Sequence, residues 1–183
     1  MSKTTQQWWD EVCADEAKFI DWLKKQYHGE RTAADKIQDL ITMIPIGVHG
    51  EGKYEWRVKI LRGILVDEVK HSCWIGELLE ARGIKPEILI KDERYWKETL
   101  PTMEGQSFEH LCAVGHLAES MRLDRIALLA KDERYKDVAE VFTRILPDEE
   151  FHTKLFAALS TPEAIVGAKE NHDKGLNALG LVP

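Results

Sequence analysis

The sequence predicts an all-α fold, and three observations carry that reading. Apolar residues recur at alternating steps of three and four through four long segments. No run of four or more residues alternates cleanly between turn signals, as a half-buried strand would. The two halves of the chain also share patterned stretches in the same order. At 183 residues and 44% hydrophobic content the chain is long enough to bury a core as a single domain over residues 1–183. That content is too high for a disordered chain.

The first segment covers about residues 5–43. Ile20, Leu23, Tyr27, Glu30, Ala34, Ile37 and Ile41 form one stripe, and Pro45 with Gly47 ends it. Gly29 lies off the stripe, at a cost of about 1 kcal/mol relative to alanine. The second segment, about residues 54–82, carries Val58, Leu61, Leu65, Glu68, Ser72, Ile75 and Leu79, and Gly83 closes it. Residues 84–106 read as a connection with short helical turns, punctuated by Pro86, Pro101 and Gly105. The third helix, about 107–130, carries Phe108, Cys112, Gly115, Glu119, Leu123 and Ile126. The fourth, about 135–159, carries Val138, Val141, Ile145, Glu149, His152 and Phe156, and Pro147 is expected to kink or divide it. Ser160-Thr161-Pro162-Glu163 starts a terminal helix over about 161–179.

Composition narrows the function classes. Asp and Glu number 32 against 25 Lys and Arg, a formal net charge of -7. An acidic chain argues against general nucleic-acid binding. The longest apolar runs are too short to span a bilayer, and MSKTTQQWWDE lacks the apolar stretch of a secretion signal. A cytoplasmic location is therefore expected. Cys13, Cys73 and Cys112 form no C-x-x-C pair, so they read as reduced thiols packed as small hydrophobes.

Each long stripe places a glutamate where the core should be apolar: Glu30, Glu68, Glu119 and Glu149. A buried carboxylate needs a compensating charge. The stripes offer no Lys or Arg at the same level, and a metal would supply that charge. Setting those four glutamates aside leaves a charge of -3 for the rest of the chain, so the acidic balance says little about the surface.

An internal repeat strengthens this. ILVDEVKHS over residues 64–72 matches ILPDEEFHT over 145–153, both I-L-x-D-E-x-x-H-[ST]. Upstream, Glu30-x4-Asp35-Lys36-Ile37 matches Glu119-x4-Asp124-Arg125-Ile126. The spacing from the single glutamate to the E-x-x-H glutamate is 38 residues in the first half and 30 in the second, which fits a longer loop at residues 44–52. With 20 glutamates in the chain, E-x-x-H alone arises readily by chance; the longer shared patterns do not. KDERY also occurs twice, at 91–95 and 131–135, out of register with this repeat, and reads as a solvated turn.

Glu and His three apart share a helix face and can bind one ion together. Two such pairs, Glu68 with His71 and Glu149 with His152, plus Glu30 and Glu119, give six ligands, enough for two divalent ions with bridging carboxylates. Mixed carboxylate and imidazole donors favour iron or manganese and leave zinc open. Asp67 and Asp148 precede the motif glutamates and are candidates to hydrogen-bond His152 and His71 respectively. His116, three residues before Glu119, reads either as an extra ligand or proton carrier or as a core-edge histidine with a backbone partner. Tyr27, three before Glu30, reads as a ligand partner or as ordinary core. The six tryptophans read as packing anchors, and His28, His49, His110 and His172 show no partner pattern.

These residues resemble the ferritin-like di-metal carboxylate superfamily over about residues 15–157. Glu30 matches its first-helix ligand, Glu68 and His71 the second-helix pair, Glu119 the third-helix ligand, and Glu149 and His152 the fourth-helix pair. The resemblance implies an antiparallel four-helix bundle with a long crossover between helices two and three, at about residues 79–106, plus the short C-terminal helix. No signature of one subfamily is present, and without paired cysteines the full rubrerythrin architecture, with its rubredoxin-like domain, is not expected. The resemblance implies an oxidoreductase acting on dioxygen or peroxide, and on an unidentified small molecule if it has an organic substrate. Iron storage and a metal-stapled structural bundle are the alternatives, and a homodimer is an open assembly state.

Overall fold

The computed structural model describes residues 4–44, 54–90, 93–100 and 105–181. Seven helices and no strand occur among them: α1 (Thr5–Cys13), α2 (Glu16–Thr42), α3 (Glu55–Glu80), α4 (Arg94–Thr99), α5 (Phe108–Leu129), α6 (Lys136–Leu159) and α7 (Pro162–Ala178). The loop terminators Pro45, Gly47 and Pro101 lie outside the described residues.

Two expectations change. The first segment is two helices, because Asp15 adopts an extended backbone and its carboxylate accepts hydrogen bonds from the N–H groups of Ala17 and Lys18. That cap starts a new helix and stabilises it by about 1 kcal/mol. Pro147, by contrast, does not divide α6. Proline costs a helix interior about 3 kcal/mol, and tertiary burial offsets it: Ile145, Glu149 and His152 on either side are fully buried. The remaining ends follow sequence chemistry. Ser107 and Thr161 cap α5 and α7 through their hydroxyls, and Gly83, at φ +71°, follows α3 in the left-handed region.

The chain forms two compact units. The first comprises Trp9–Ile90 and Asp132–Val141. Its α2 and α3 pack on each other, burying Leu23, Ala34 and Ile37 on one and Leu61, Ile75 and Leu79 on the other. Gly76 meets the Tyr27 ring and Pro86, and His28 Nδ1 accepts a hydrogen bond from Leu89 N–H at 3.2 Å, tying residues 84–90 to α2. The Phe19 ring stacks on Tyr135 at 3.9 Å, with the Arg82 guanidinium 5.4 Å from it and Trp9 and Trp22 alongside.

The second KDERY segment is a turn with Lys131, Glu133 and Arg134 exposed, as expected, but it is also anchored to α1. Asp132 accepts from the Trp9 indole and the Arg134 guanidinium, while Arg134 also reaches Asp10 at 2.9 Å. The Arg134 hydrogen bond draws the Asp132 carboxyl down to about 2. Alternating contacts on a short turn have no helical period, so they escape a periodicity reading.

The second unit comprises Met1–Trp8, Lys91–Lys131 and Phe142–Pro183. Here α7 packs on α4 and α5, with Ala113, Val114 and Ala168 forming a buried cluster against Trp96 and Ile165. Glycines allow close approach: a Cβ on Gly175 would stand 2.7 Å from Tyr95 Cδ2, and one on Gly115 would stand 3.0 Å from the Phe156 ring. The thiols divide, with Cys112 buried as expected, Cys13 half-buried and Cys73 exposed. No described helix is long and apolar enough to cross a membrane.

Candidate metal centre

The repeat explains the local construction of each half. Its buried isoleucines, Ile37 and Ile64 in the first half and Ile126 and Ile145 in the second, turn the glutamate face of each helix inward. Its final hydroxyl is absorbed by the helix itself. Ser72 Oγ donates to the Val69 carbonyl at 2.7 Å, and Thr153 Oγ1 donates to the Glu149 carbonyl at 2.9 Å. Asp35 and Asp124, the repeat's other acids, stay exposed.

In the first unit Glu30 comes from α2 and Glu68 and His71 from α3, and all three are 0% exposed. Each presents a ligand atom, and those atoms lie within 4.8 Å of one another. His71 Nδ1 is 3.5 Å from Glu30 Oε2. Two carboxylates face one imidazole, so the set is negative even with the histidine protonated. Atoms bound about 2 Å from one ion stand at most about 4 Å apart. Small side-chain movements would therefore close this set on a divalent cation, and oxygen plus imidazole donors suit iron, manganese or zinc.

In the second unit Glu149 and His152 of α6 are 0% exposed and Glu119 of α5 is 8% exposed. His152 Nδ1 lies 3.3 Å from Glu149 Oε2, its own motif partner. This half also contains a residue the stripe reading missed. Arg122 Nη1 lies 3.3 Å from Glu119 Oε2, and Nη2 lies 3.9 Å from Glu149 Oε1. The expectation of no cation at the glutamate level is thus corrected. Arg122 sits off the apolar stripe, but it follows Glu119 by three residues, one helical turn, and that spacing was the available signal.

The remaining candidates have specific partners. His116 Nδ1 hydrogen-bonds the Thr153 carbonyl at 3.0 Å, the backbone partnership anticipated as one of its readings. Asp67 pairs with Lys70 Nζ at 2.7 Å, and Asp148 is half-buried. Tyr27 is half-buried against Gly76. A second missed group is Tyr95, whose hydroxyl lies 2.7 Å from His172 Nδ1. Burial raises the Tyr95 hydroxyl's pKa and the Glu119 charge adds to this, while burial lowers that of His172. Both shifts come chiefly from burial of the pair. His172 sits on α7, outside the repeat, so sequence spacing gave no hint of the pair.

The comparisons with known proteins agree on the class. A solved structure described as protein 43 with aldehyde deformylating oxygenase activity from Synechococcus superposes with a TM-score of 0.76, at 21% identity, covering 97% of this chain and 87% of that one. The fold is accordingly a ferritin-like helical bundle. The Rubrerythrin family profile matches residues 51–160, more than half of the chain, and the chain belongs to that family within the ferritin-like di-iron superfamily. The match contains Glu68, His71, Glu119, Glu149 and His152, whereas Glu30 precedes it. No curated protein shows significant sequence similarity to the chain.

Proposed function

We propose that this protein is a di-iron carboxylate oxidoreductase that acts on dioxygen or peroxide. The observation that carries the reading is the fully buried Glu30, Glu68 and His71 set, whose counterpart in the repeat is Glu119, Glu149 and His152. In this reading the four glutamates hold two metal ions and the two histidines complete the ligand set. When bound in the reduced state, the metals supply electrons to the oxidant. Iron is favoured by the family, and the need for a redox-active ion argues against zinc.

The chain's own contribution is a preformed, dry donor set. Burial keeps water from competing for the carboxylates and strengthens their attraction for a cation. The Ser72 and Thr153 hydroxyls, committed to their helices, do not compete for the ligand oxygens. The oxygenase activity named for the structural neighbour shows that a fold of this class accommodates oxygen chemistry.

The test is anaerobic loading of the metal-free protein with ferrous iron, followed by oxygen addition under absorbance. About two irons per chain and oxidation within minutes are expected. Iron, manganese and zinc each well below one per chain after loading, or a di-ferrous protein stable for hours to both oxygen and added hydrogen peroxide, would reject the proposal.

A further inference from the structure

Helix α3 buries Leu61, Ile75 and Leu79 on the side that packs with α2, and another of its faces is exposed along most of its length. The exposed residues are ordered by chemistry. Lys59 and Arg62 stand at one end, Glu77 and Glu80 at the other, and Val66, Val69 and Cys73 lie between them. Their spacing is three or four residues throughout, so all seven share one helix face. Val66 is 62% exposed and Val69 39%. At 1.5 Å per residue the face is about 32 Å long. The repeat does not require its apolar middle: the positions of α6 that match Val69 and Cys73 are Glu150 and Lys154, both exposed.

The order is self-complementary. In an antiparallel pair of α3 helices, Lys59 faces Glu80 of the partner subunit, Arg62 faces Glu77 of the partner subunit, and Val66 faces Cys73 of the partner subunit. All three pairings share one centre, between Val69 and Lys70, so a single two-fold axis satisfies them together. Lys70 brings no bare charge to that centre, because its Nζ pairs with Asp67 at 2.7 Å. Gly63, where a Cβ would meet nothing within 4 Å, leaves the backbone open to close approach. We propose that this face of α3 is a homodimer interface, with a second copy of the chain as its occupant and the two α3 helices antiparallel about that centre. One helix face of this length falls at the small end of specific interfaces, below about 1,200 Å² in total, so the dimer is weak, with a Kd of about 10–100 μM. The interface is independent of the metal reading.

Sedimentation velocity of the full chain from about 1 μM to about 500 μM tests it. Wild type is expected to pass from monomer to dimer over that range. Arg62→Glu and Glu77→Arg, each alone, set like charges against each other and should weaken association by about tenfold or more. An equimolar mixture of these two variants restores opposite charges and should dimerise as wild type does, which a folding defect would not allow. Val66→Cys treated with diamide should give a dimer linked to Cys73 of the partner subunit, two thiols yielding two protons and two electrons to diamide as the S–S bond forms. Wild type should not link, because its two Cys73 positions lie about 10 Å apart along the axis. A wild type that stays monomeric at the highest concentration overturns the proposal and leaves a partner of other composition as the occupant. A dimer indifferent to both charge reversals, a mixture that stays monomeric, or a Val66→Cys link that peptide mapping places elsewhere than Cys73 also overturns it.

Discussion

Glu30 and Glu119 occupy equivalent positions in the repeat, yet they sit in different electrostatic company. Glu30 is fully buried, as are Glu68 and His71. Glu119 is slightly exposed and shares Arg122 with Glu149. The histidines differ as well. His71 Nδ1 lies near the glutamate of the other helix, while His152 Nδ1 lies near its own motif partner. A repeat thus preserves the ligand types while the residues between them set the charge balance.

The largest effect expected from this contrast is one of opposite sign. Glu68→Gln neutralises a fully buried carboxylate and should stabilise the metal-free protein by about 1–3 kcal/mol. Glu119→Gln weakens a close ion pair and should destabilise it by about 1 kcal/mol. Chemical denaturation of both variants after chelation checks this, and shifts of the same sign would remove the distinction between the halves.

The units also differ in what closes them. The second is closed by glycine-mediated contact between α4 and α7, so Gly175→Ala should cost about 1–3 kcal/mol, because a Cβ there meets both the Tyr95 ring and its backbone carbonyl. A melting temperature equal to wild type would show that α4 yields freely. The first is closed by the Trp9, Asp132 and Arg134 clasp, and Asp132→Asn should cost about 1 kcal/mol at neutral pH. The folded Asp132 carboxyl titrates at about 2, below its ordinary 3.8. Its contribution is therefore complete above the unfolded value and is lost as pH falls toward the folded one. The stability gap between wild type and Asp132→Asn should accordingly narrow below pH 3.8; a gap constant down to acid would show that the clasp is held by something other than this charge.

Much of the fold was legible because its signals are local. Stripes at steps of three and four located α2, α3, α5 and α6, and the Thr161-Pro162 start located α7. The split at Asp15 escaped because a cap is a single-residue event inside a polar stretch that still reads as helical. Pro147 does not divide α6, since its local penalty is smaller than the burial gained by the residues around it. In the site, each ligand candidate could be named from the repeat, Arg122 was signalled only by its place one turn after Glu119, and Tyr95 and His172 had no signal at all. Their contacts join residues on different helices or beside the stripe, where sequence spacing carries little information.

The sequence by itself determined that this is a helical protein with two copies of a carboxylate and histidine pattern, because helical period and motif spacing are properties of the chain alone. Only the tertiary structure decided which charges keep those carboxylates company. Arg122 reaches Glu149 on another helix, and Tyr95 meets His172 across 77 residues of sequence, through packing that no local pattern encodes. Coulomb energy depends on distance and burial in three dimensions, so the difference between the two halves emerges only once the helices are packed.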